Sequence, residues 1–73
     1  MEKTFSVILL TNSGDFLLED EEQVERQEKG IEAETPFVIN DEEQAQRIKA
    51  EKIFVPYHSL DNIQYGEFNQ ETV

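Results

Sequence analysis

The side chains of this sequence with the clearest chemical potential are carboxylates, and six of them lie within ten positions. Residues 19–28 hold these six acids and a single basic residue, Arg26. The acids are Glu19, Asp20, Glu21, Glu22, Glu25 and Glu28. A calcium-binding loop alternates its ligands at fixed steps and places a glycine at its sharp turn. Because the run 19–22 is contiguous and Gly30 lies far from it, we predict no metal site. The block is either a solvated face or a surface that binds a partner, and we predict a partner-binding surface.

The charge of the whole chain indicates which kind of partner this surface would fit. Seventeen acidic residues against six basic ones give a formal net charge of −11. Nucleic acids and anionic membranes attract proteins through Lys and Arg, so we expect neither direct nucleic-acid binding nor membrane binding. A basic protein surface is the partner that such a charge favours.

The spacing of the same acids supports a second hypothesis. Coiled as a helix, residues 19–28 would span about 15 Å, with one acid per ~2.5 Å of axis. Duplex DNA carries one charge per ~1.7 Å of axis. A helical block would therefore approach the charge density of a nucleic acid, and the chain could act as a mimic that inhibits a DNA- or RNA-binding protein. An extended strand would double the spacing and weaken this analogy.

A third hypothesis rests on His58, the only histidine, which has Ser59 and Asp61 beside it. Nucleophilic catalysis requires the imidazole to lie between the other two side chains, and residues of one tight turn rarely achieve this. The favoured interpretation is a turn in which Ser59 and Asp61 bond to nearby amides. A small metal-binding or hydrolytic enzyme that uses His58 is the alternative. We predict no catalytic residue, no cofactor and no enzymatic activity.

The elements that must position these residues are mostly short strands. Residues 4–11 are rich in β-branched and aromatic side chains, with apolar residues on both faces. The turn signal Asn12-Ser13-Gly14 follows, and a strand pattern resumes over residues 15–19 (DFLLE), which predicts a β-hairpin. The remaining predicted strands are 35–40, 52–57 and 63–68.

Two charged segments carry helix-capping signals. Gln23 lies three residues after Asp20, and Glu43 lies three residues after Asn40, which is the spacing of a capping box. These signals predict short helices over 20–29 and 41–51. The first segment has almost nothing apolar to bury, so a curved strand is equally compatible with it. For 41–51 the alternative is a polar hairpin arm.

Together these elements predict an α+β fold, either a small antiparallel β-sheet or a small β-barrel of about five strands, with one or two short helices. Residues 1–68 would form a single compact domain, and 69–73 a polar C-terminal tail. The side chains predicted to form the core are Phe5, Val7, Leu9, Phe16, Leu18, Phe37, Ile39, Ile53, Val55 and Ile63.

Chain length and cysteine content lead to two further expectations. A chain of 73 residues buries little apolar surface, so we expect a homodimer or a higher homo-oligomer to bury more. The sequence contains no cysteine, whereas small secreted domains are usually held together by disulfides. The apolar stretch near the N-terminus is also too short for the core of a signal peptide. We therefore predict a cytoplasmic protein.

Two segments resemble the Sm-like family of small RNA-associated β-barrels. Residues 17–24 (LLEDEEQV) resemble the end of that family's first motif, where an apolar strand runs into an acidic stretch. Residues 53–63 (IFVPYHSLDNI) are similar to its second motif, in which a tight turn ends in Asp61-Asn62-Ile63. The resemblance implies a small barrel that forms a ring or a dimer. It does not imply RNA binding, because the base-contacting Asp-to-Asn pair of the first motif has no counterpart here.

Overall fold

The computed structural model describes all 73 residues, and it consists almost entirely of antiparallel strands. The strands are β1 (Glu2–Thr11), β2 (Gly14–Leu18), β3 (Val24–Arg26), β4 (Gly30–Glu34), β5 (Phe37–Ile39), β6 (Ala45–Arg47), β7 (Lys52–Pro56) and β8 (Leu60–Glu71). A five-stranded sheet has the order β6-β5-β2-β1-β8, and a three-stranded sheet has the order β3-β4-β7. The helical residues form two single turns of 3-10 helix, Glu21–Gln23 and Tyr57–Ser59. None of these helical turns has the length and hydropathy that crossing a membrane would require.

The hairpin predicted at the start of the chain is confirmed. In the β1–β2 ladder Val7 pairs with Leu18, and Thr11 pairs with Gly14. Gly14 has a φ of 129°, in a region that side chains of L-residues disfavour and that glycine tolerates. The buried hydroxyl of Thr11 donates to the Gly14 carbonyl oxygen at 2.6 Å, which closes the turn.

The helix predicted over 20–29 is wrong, although its capping box exists. The Glu22 amide donates to Asp20 Oδ1 at 3.0 Å, and the Asp20 amide donates to Gln23 Oε1 at 2.9 Å. These bonds cap only one 3-10 turn, after which the chain continues as β3 and pairs with β4. Burial explains the difference: a helix would have given Val24 almost nothing to pack against, whereas β3 sets Val24 beside the buried Ala33.

The helix predicted over 41–51 is also wrong. Residues 40–44 form the turn between β5 and β6, in which Asn40 Oδ1 accepts from the amides of Glu42 and Gln44 at 3.0 and 2.9 Å. Glu43 has a φ of 61°, which lies in the left-handed region and cannot continue a right-handed helix. Ala45 follows in β6 and is buried at 1% exposure. The side chain of Asn40 therefore satisfies the amides of a hairpin turn, not those of a helix.

The predicted α+β fold class and the alternative of a small β-barrel are wrong as well. The chain has no true helix, and neither of its two antiparallel sheets closes. The edge strands of the five-stranded sheet, β6 and β8, approach each other only beyond the end of β8, where Ala45 and Thr72 form one isolated parallel bridge. A barrel requires a hydrogen-bonded ladder between its first and last strands, and a single bridge does not provide one.

The core consists of two clusters. In the first, Val7, Leu9 and Leu18 of the five-stranded sheet pack against Ile31, Ala33 and Val55 of the three-stranded sheet. The second contains Phe5, Leu17, Phe37 and Ala45, and the Phe5 and Phe37 rings meet edge-on at 5.1 Å. The first cluster is therefore buried between the two sheets, whereas the second is formed by strands of the five-stranded sheet alone.

Most of the predicted core is confirmed. The buried members are Phe5, Val7, Leu9, Leu18, Phe37 and Val55. Phe16, Ile53 and Ile63 pack against the first cluster but are only partly buried. The prediction for Ile39 is wrong, because this residue ends β5 next to the exposed turn and is 40% exposed.

The last strand takes in most of the segment for which a polar tail was predicted. Residues 69–71 belong to β8 and pair with residues 2–4 of β1. Thr72 is 7% exposed, and its hydroxyl donates to the Met1 carbonyl oxygen at 2.7 Å. Residues 69–72 are thus hydrogen-bonded into the fold.

Candidate functional site

The structure divides the six predicted acids into two that serve the fold and four that face solvent. The Glu19 carboxylate lies 3.2 Å from Lys3 Nζ and 3.4 Å from Arg47 Nη2, and Asp20 caps the first 3-10 turn. The exposed acids are Glu21, Glu22, Glu25 and Glu28. None of these four takes part in an ion pair. Because residues 19–28 are not a helix, the closely spaced row of charges on which the mimic hypothesis depends is not formed.

A set of carboxylates gathers instead on the outward face of the three-stranded sheet. Ile31 and Ala33 of β4 point into the core, so Glu32 and Glu34 point to the opposite side. The cross-strand register sets Glu25 of β3 beside Glu32. It also sets Phe54 and Lys52 of β7 beside Glu32 and Glu34, respectively. We call Glu25, Glu32, Glu34, Lys52 and Phe54 the acidic sheet face.

Lys52 is the only cation of the acidic sheet face. Its Nζ lies 3.3 Å from Glu32 Oε1. The hydrogen bond to Glu32 raises the pKa of Lys52 above its ordinary value, and the negative charges of Glu32, Glu34 and Glu25 raise it further. Three carboxylates and one ammonium leave this face with a formal charge of −3 + 1 = −2.

Both oxygens of the central carboxylate have a partner. Glu32 Oε1 accepts from Lys52, and Oε2 accepts from Gln27 Nε2 at 3.2 Å. The carbonyl oxygen of Gln27 in turn accepts from the Tyr57 hydroxyl at 2.7 Å. This chain of hydrogen bonds holds Glu32 in place beside the Phe54 ring.

Phe54 is the apolar centre of the acidic sheet face. The residue is 48% exposed, and its ring lies over Gly30, where a Cβ atom would come within 2.6 Å of the ring Cζ. The absence of a side chain at Gly30 therefore gives the ring the space in which it lies. The exposed part of Phe54 is therefore accessible from solvent, with the carboxylate of Glu32 beside it.

The sequence interpretation found Glu25 but missed Glu32, Glu34 and Phe54 as members of one surface. A signal for β4 was present, since Ile31 and Ala33 alternate with Glu32 and Glu34 in the manner of a half-buried strand. No local signal indicates that Phe54 lies beside Glu32.

The residues of the enzyme hypothesis lie elsewhere. His58 is exposed in the 3-10 turn Tyr57–Ser59, and Asp61 is exposed at the start of β8. No group of three or more His, Cys, Asp or Glu side chains comes together in a way that could hold a metal ion.

The raised pKa of Lys52 predicts a specific loss of stability at alkaline pH. Because the folded state favours charged Lys52, this contribution is fully present below the ordinary lysine pKa of 10.5 and is lost as pH rises through the higher folded value. Between pH 10 and 12, we expect the melting temperature of the natural chain to fall slightly more than that of a Lys52→Gln variant. The difference should be small because the ion pair is exposed. Lys49→Gln, at an exposed lysine outside every ion pair, is the control; identical curves for both variants would contradict the prediction.

No family model, no curated protein and no solved structure matches this chain. The resemblance to the Sm-like family therefore stays a prediction.

Proposed function

We propose that this chain is a non-enzymatic interaction module that binds a basic protein surface through the acidic sheet face, together with the neighbouring exposed acid Glu28. The observation that carries this proposal is the cross-strand row Glu25–Glu32–Phe54, which sets a half-exposed aromatic ring beside two carboxylates. Interfaces obtain most of their binding energy from a few aromatic or arginine anchors, and charged groups around them select the partner.

The chemistry of the row fits an arginine or lysine side chain of the partner. A guanidinium above the Phe54 ring would gain a cation–π interaction. From that position it could donate to the carboxylates of Glu32 and Glu25, and such charge-assisted bonds are the stronger kind. The net charge of −11 would attract a basic partner over a longer range and raise the association rate.

Charge reversal on the acidic sheet face tests this proposal. The probe is a fluorescent eight-residue arginine peptide, with binding measured by anisotropy at low and high salt. In the double variant Glu25→Lys with Glu34→Lys, we expect the affinity to fall at least about tenfold, which corresponds to ~1.4 kcal/mol. Phe54→Ala should weaken binding as well, by removing the ring on which a guanidinium stacks. Thermal melts should show that the folded state survives, because exposed charges contribute little to stability.

A matched control separates a local surface from bulk charge. Asp41 and Glu42 are exposed in the turn between β5 and β6, so Asp41→Lys with Glu42→Lys changes the net charge by the same amount at a different place. The proposal requires this control to retain an affinity within about threefold of that of the natural chain. Equal losses in the two double variants would show that the peptide responds only to net charge, and the acidic sheet face would not be a binding site.

We also propose that the module acts in the cytoplasm. The support is compositional: 73 residues without a cysteine lack the disulfides on which small secreted domains usually depend. Fractionation of source cells, with detection by an antibody, would test this; recovery in the secreted fraction would overturn it.

A further inference from the structure

Three of the four edge strands carry a feature that hinders the addition of another strand. β3 and β6 contain three residues each. The free side of β6 is also partly occupied, because Ala45 forms the bridge with Thr72 there. β7 begins with Lys52 and ends with Pro56. Short length, lysine and proline are three of the devices by which natural sheets protect their edges.

The fourth edge strand, β8, has none of these three devices, although each of the two register shifts in its ladder with β1 gives β8 one extra residue, as in a β-bulge. It is twelve residues long and contains no Lys, Arg or Pro. Its only neighbour in the sheet is β1. Apart from the ladders of the strands and the Leu60 amide, which donates to the Tyr57 carbonyl oxygen, the backbone–backbone hydrogen bonds of the fold involve no residue of 60–71. One side of β8 therefore presents amide and carbonyl groups that have no backbone partner, although the Ile63 amide donates to the side-chain Oδ1 of Asn62 at 2.8 Å.

The most regular accessible part of this edge is short and well defined. Residues 62–65 pair in continuous register with residues 7–10 of β1, so their backbone is fully extended. The register shifts on either side of this stretch, near Asp61 and between Tyr65 and Phe68. Residues 64–67 are all exposed, and Tyr65 has 49% of its surface free. An incoming strand would thus find four extended residues with an aromatic ring at their end.

We propose that the free edge of β8 binds an extended basic peptide segment as a sixth strand of the five-stranded sheet. Backbone hydrogen bonds would supply the affinity, as in other cases of strand addition, and side chains would supply the selectivity. The charged residues of β8 are Asp61, Glu67 and Glu71, all acidic, so the complementary segment carries Lys or Arg between apolar residues. Within the chain, the Tyr65 hydroxyl accepts from Arg26 Nη2 at 3.1 Å, so an arginine of the incoming segment would share this hydroxyl with Arg26 or take its place.

This inference goes beyond the proposed function, because it concerns the edge of the other sheet and a different mode of binding. A second copy of the chain is the competing occupant. It would bring its own Asp61, Glu67 and Glu71 and a further charge of −11, so electrostatics favours a basic segment.

The test uses the full chain and a ten-residue peptide of alternating lysine and valine. At saturating peptide, we expect hydrogen exchange at amides within residues 61–67 to slow at least about tenfold at the positions that face the free edge. A peptide of the same sequence with every backbone amide N-methylated keeps its charges but has no backbone donor, and it should bind at least about tenfold more weakly.

Two double variants test whether peptide binding and the slower hydrogen exchange depend on the free edge of β8. Gln64→Lys with Glu67→Lys adds the positive charge that protects natural edges, and it should weaken peptide binding at least about tenfold. In the double variant Glu25→Lys with Glu34→Lys, hydrogen exchange at 61–67 should still slow when peptide is added, because the acidic sheet face is not part of this edge. Failure of the proposed function can therefore be distinguished from failure of this inference. Equal binding of the two peptides, or no protection within 61–67, would overturn the inference. Protection of 61–67 that rises with protein concentration in the absence of peptide would overturn it too, in favour of self-pairing.

Discussion

Replacing Leu9 with alanine should lower the free energy of unfolding by about 3–5 kcal/mol. Leu9 is fully buried between the two sheets, where its cross-strand neighbours are Phe16 and Ile63. Truncation removes apolar contacts and leaves a cavity. Because β1 is hydrogen-bonded to a strand on each side, the backbone cannot move in to fill this cavity. A domain of this size has a total stability of only about 4–11 kcal/mol, so the variant should lose a large fraction of it. Urea denaturation followed by circular dichroism measures this difference.

Leu10→Ala is the matched control, because Leu10 is the next residue of β1 and points to the opposite face. It is only partly buried, and we expect a cost of about 1 kcal/mol. A slip of one residue in the pairing of β1 would exchange the two faces of the strand. If Leu10→Ala cost as much as Leu9→Ala, the register of the five-stranded sheet described above would be incorrect.

Replacing Gly30 with alanine should destabilise the fold by about 2–3 kcal/mol although it adds a single methyl group. The new Cβ would collide with the carbonyl oxygen of Val55 and would lie 2.8 Å from Pro56 Cα and 2.6 Å from Phe54 Cζ. The first two atoms belong to the backbone of β7, which pairs with β4, so relief requires moving one strand away from the other. The third atom belongs to the central ring of the acidic sheet face. We therefore expect weaker binding of the arginine peptide in the same variant.

Gly66→Ala serves as the control for Gly30→Ala. A Cβ at Gly66 would contact only the ring of Phe68, at 3.3 Å and beyond, and a partly exposed ring can shift by that small amount. We expect a cost of at most about 1 kcal/mol. The prediction is incorrect if the two glycine variants unfold at the same urea concentration, because that would mean that β4 and β7 do not approach as closely as the structure shows.

Local signals were sufficient for some elements and ambiguous for others. The β1–β2 hairpin was predictable because alternation, a turn and a glycine with positive φ all lie within residues 4–19. The capping box of Asp20 and Gln23 was also predictable as a set of hydrogen bonds. Whether a helix continues beyond the capping box was not predictable, because the same bonds satisfy the amides of one 3-10 turn or of a full helix. The choice depends on what the residues after Gln23 can bury, and Val24 finds Ala33 only after β4 has folded beside it.

The candidate surface was likewise predictable from the sequence in one respect and dependent on the tertiary structure in another. That Glu21, Glu22, Glu25 and Glu28 face solvent follows from their charge, because ionised carboxylates are almost never fully buried unless they are paired. Cross-strand register decides that Glu25 lies next to Glu32 and that Glu32 lies next to Phe54. These two pairs are seven and twenty-two positions apart in the sequence, respectively.

The sequence by itself determined the acidity of the chain, its first hairpin and six of its ten buried hydrophobic side chains, because each depends on residue type and short-range alternation. Only the tertiary structure decided that segments 20–29 and 41–51 are turns and strands, that Ala45 meets Thr72 without closing a barrel, and that β8 has a free edge. The physical reason is that hydrogen-bond partners in a sheet are distant in sequence. The residues that a strand can bury, and the edge that it leaves unpaired, therefore depend on where its neighbours lie.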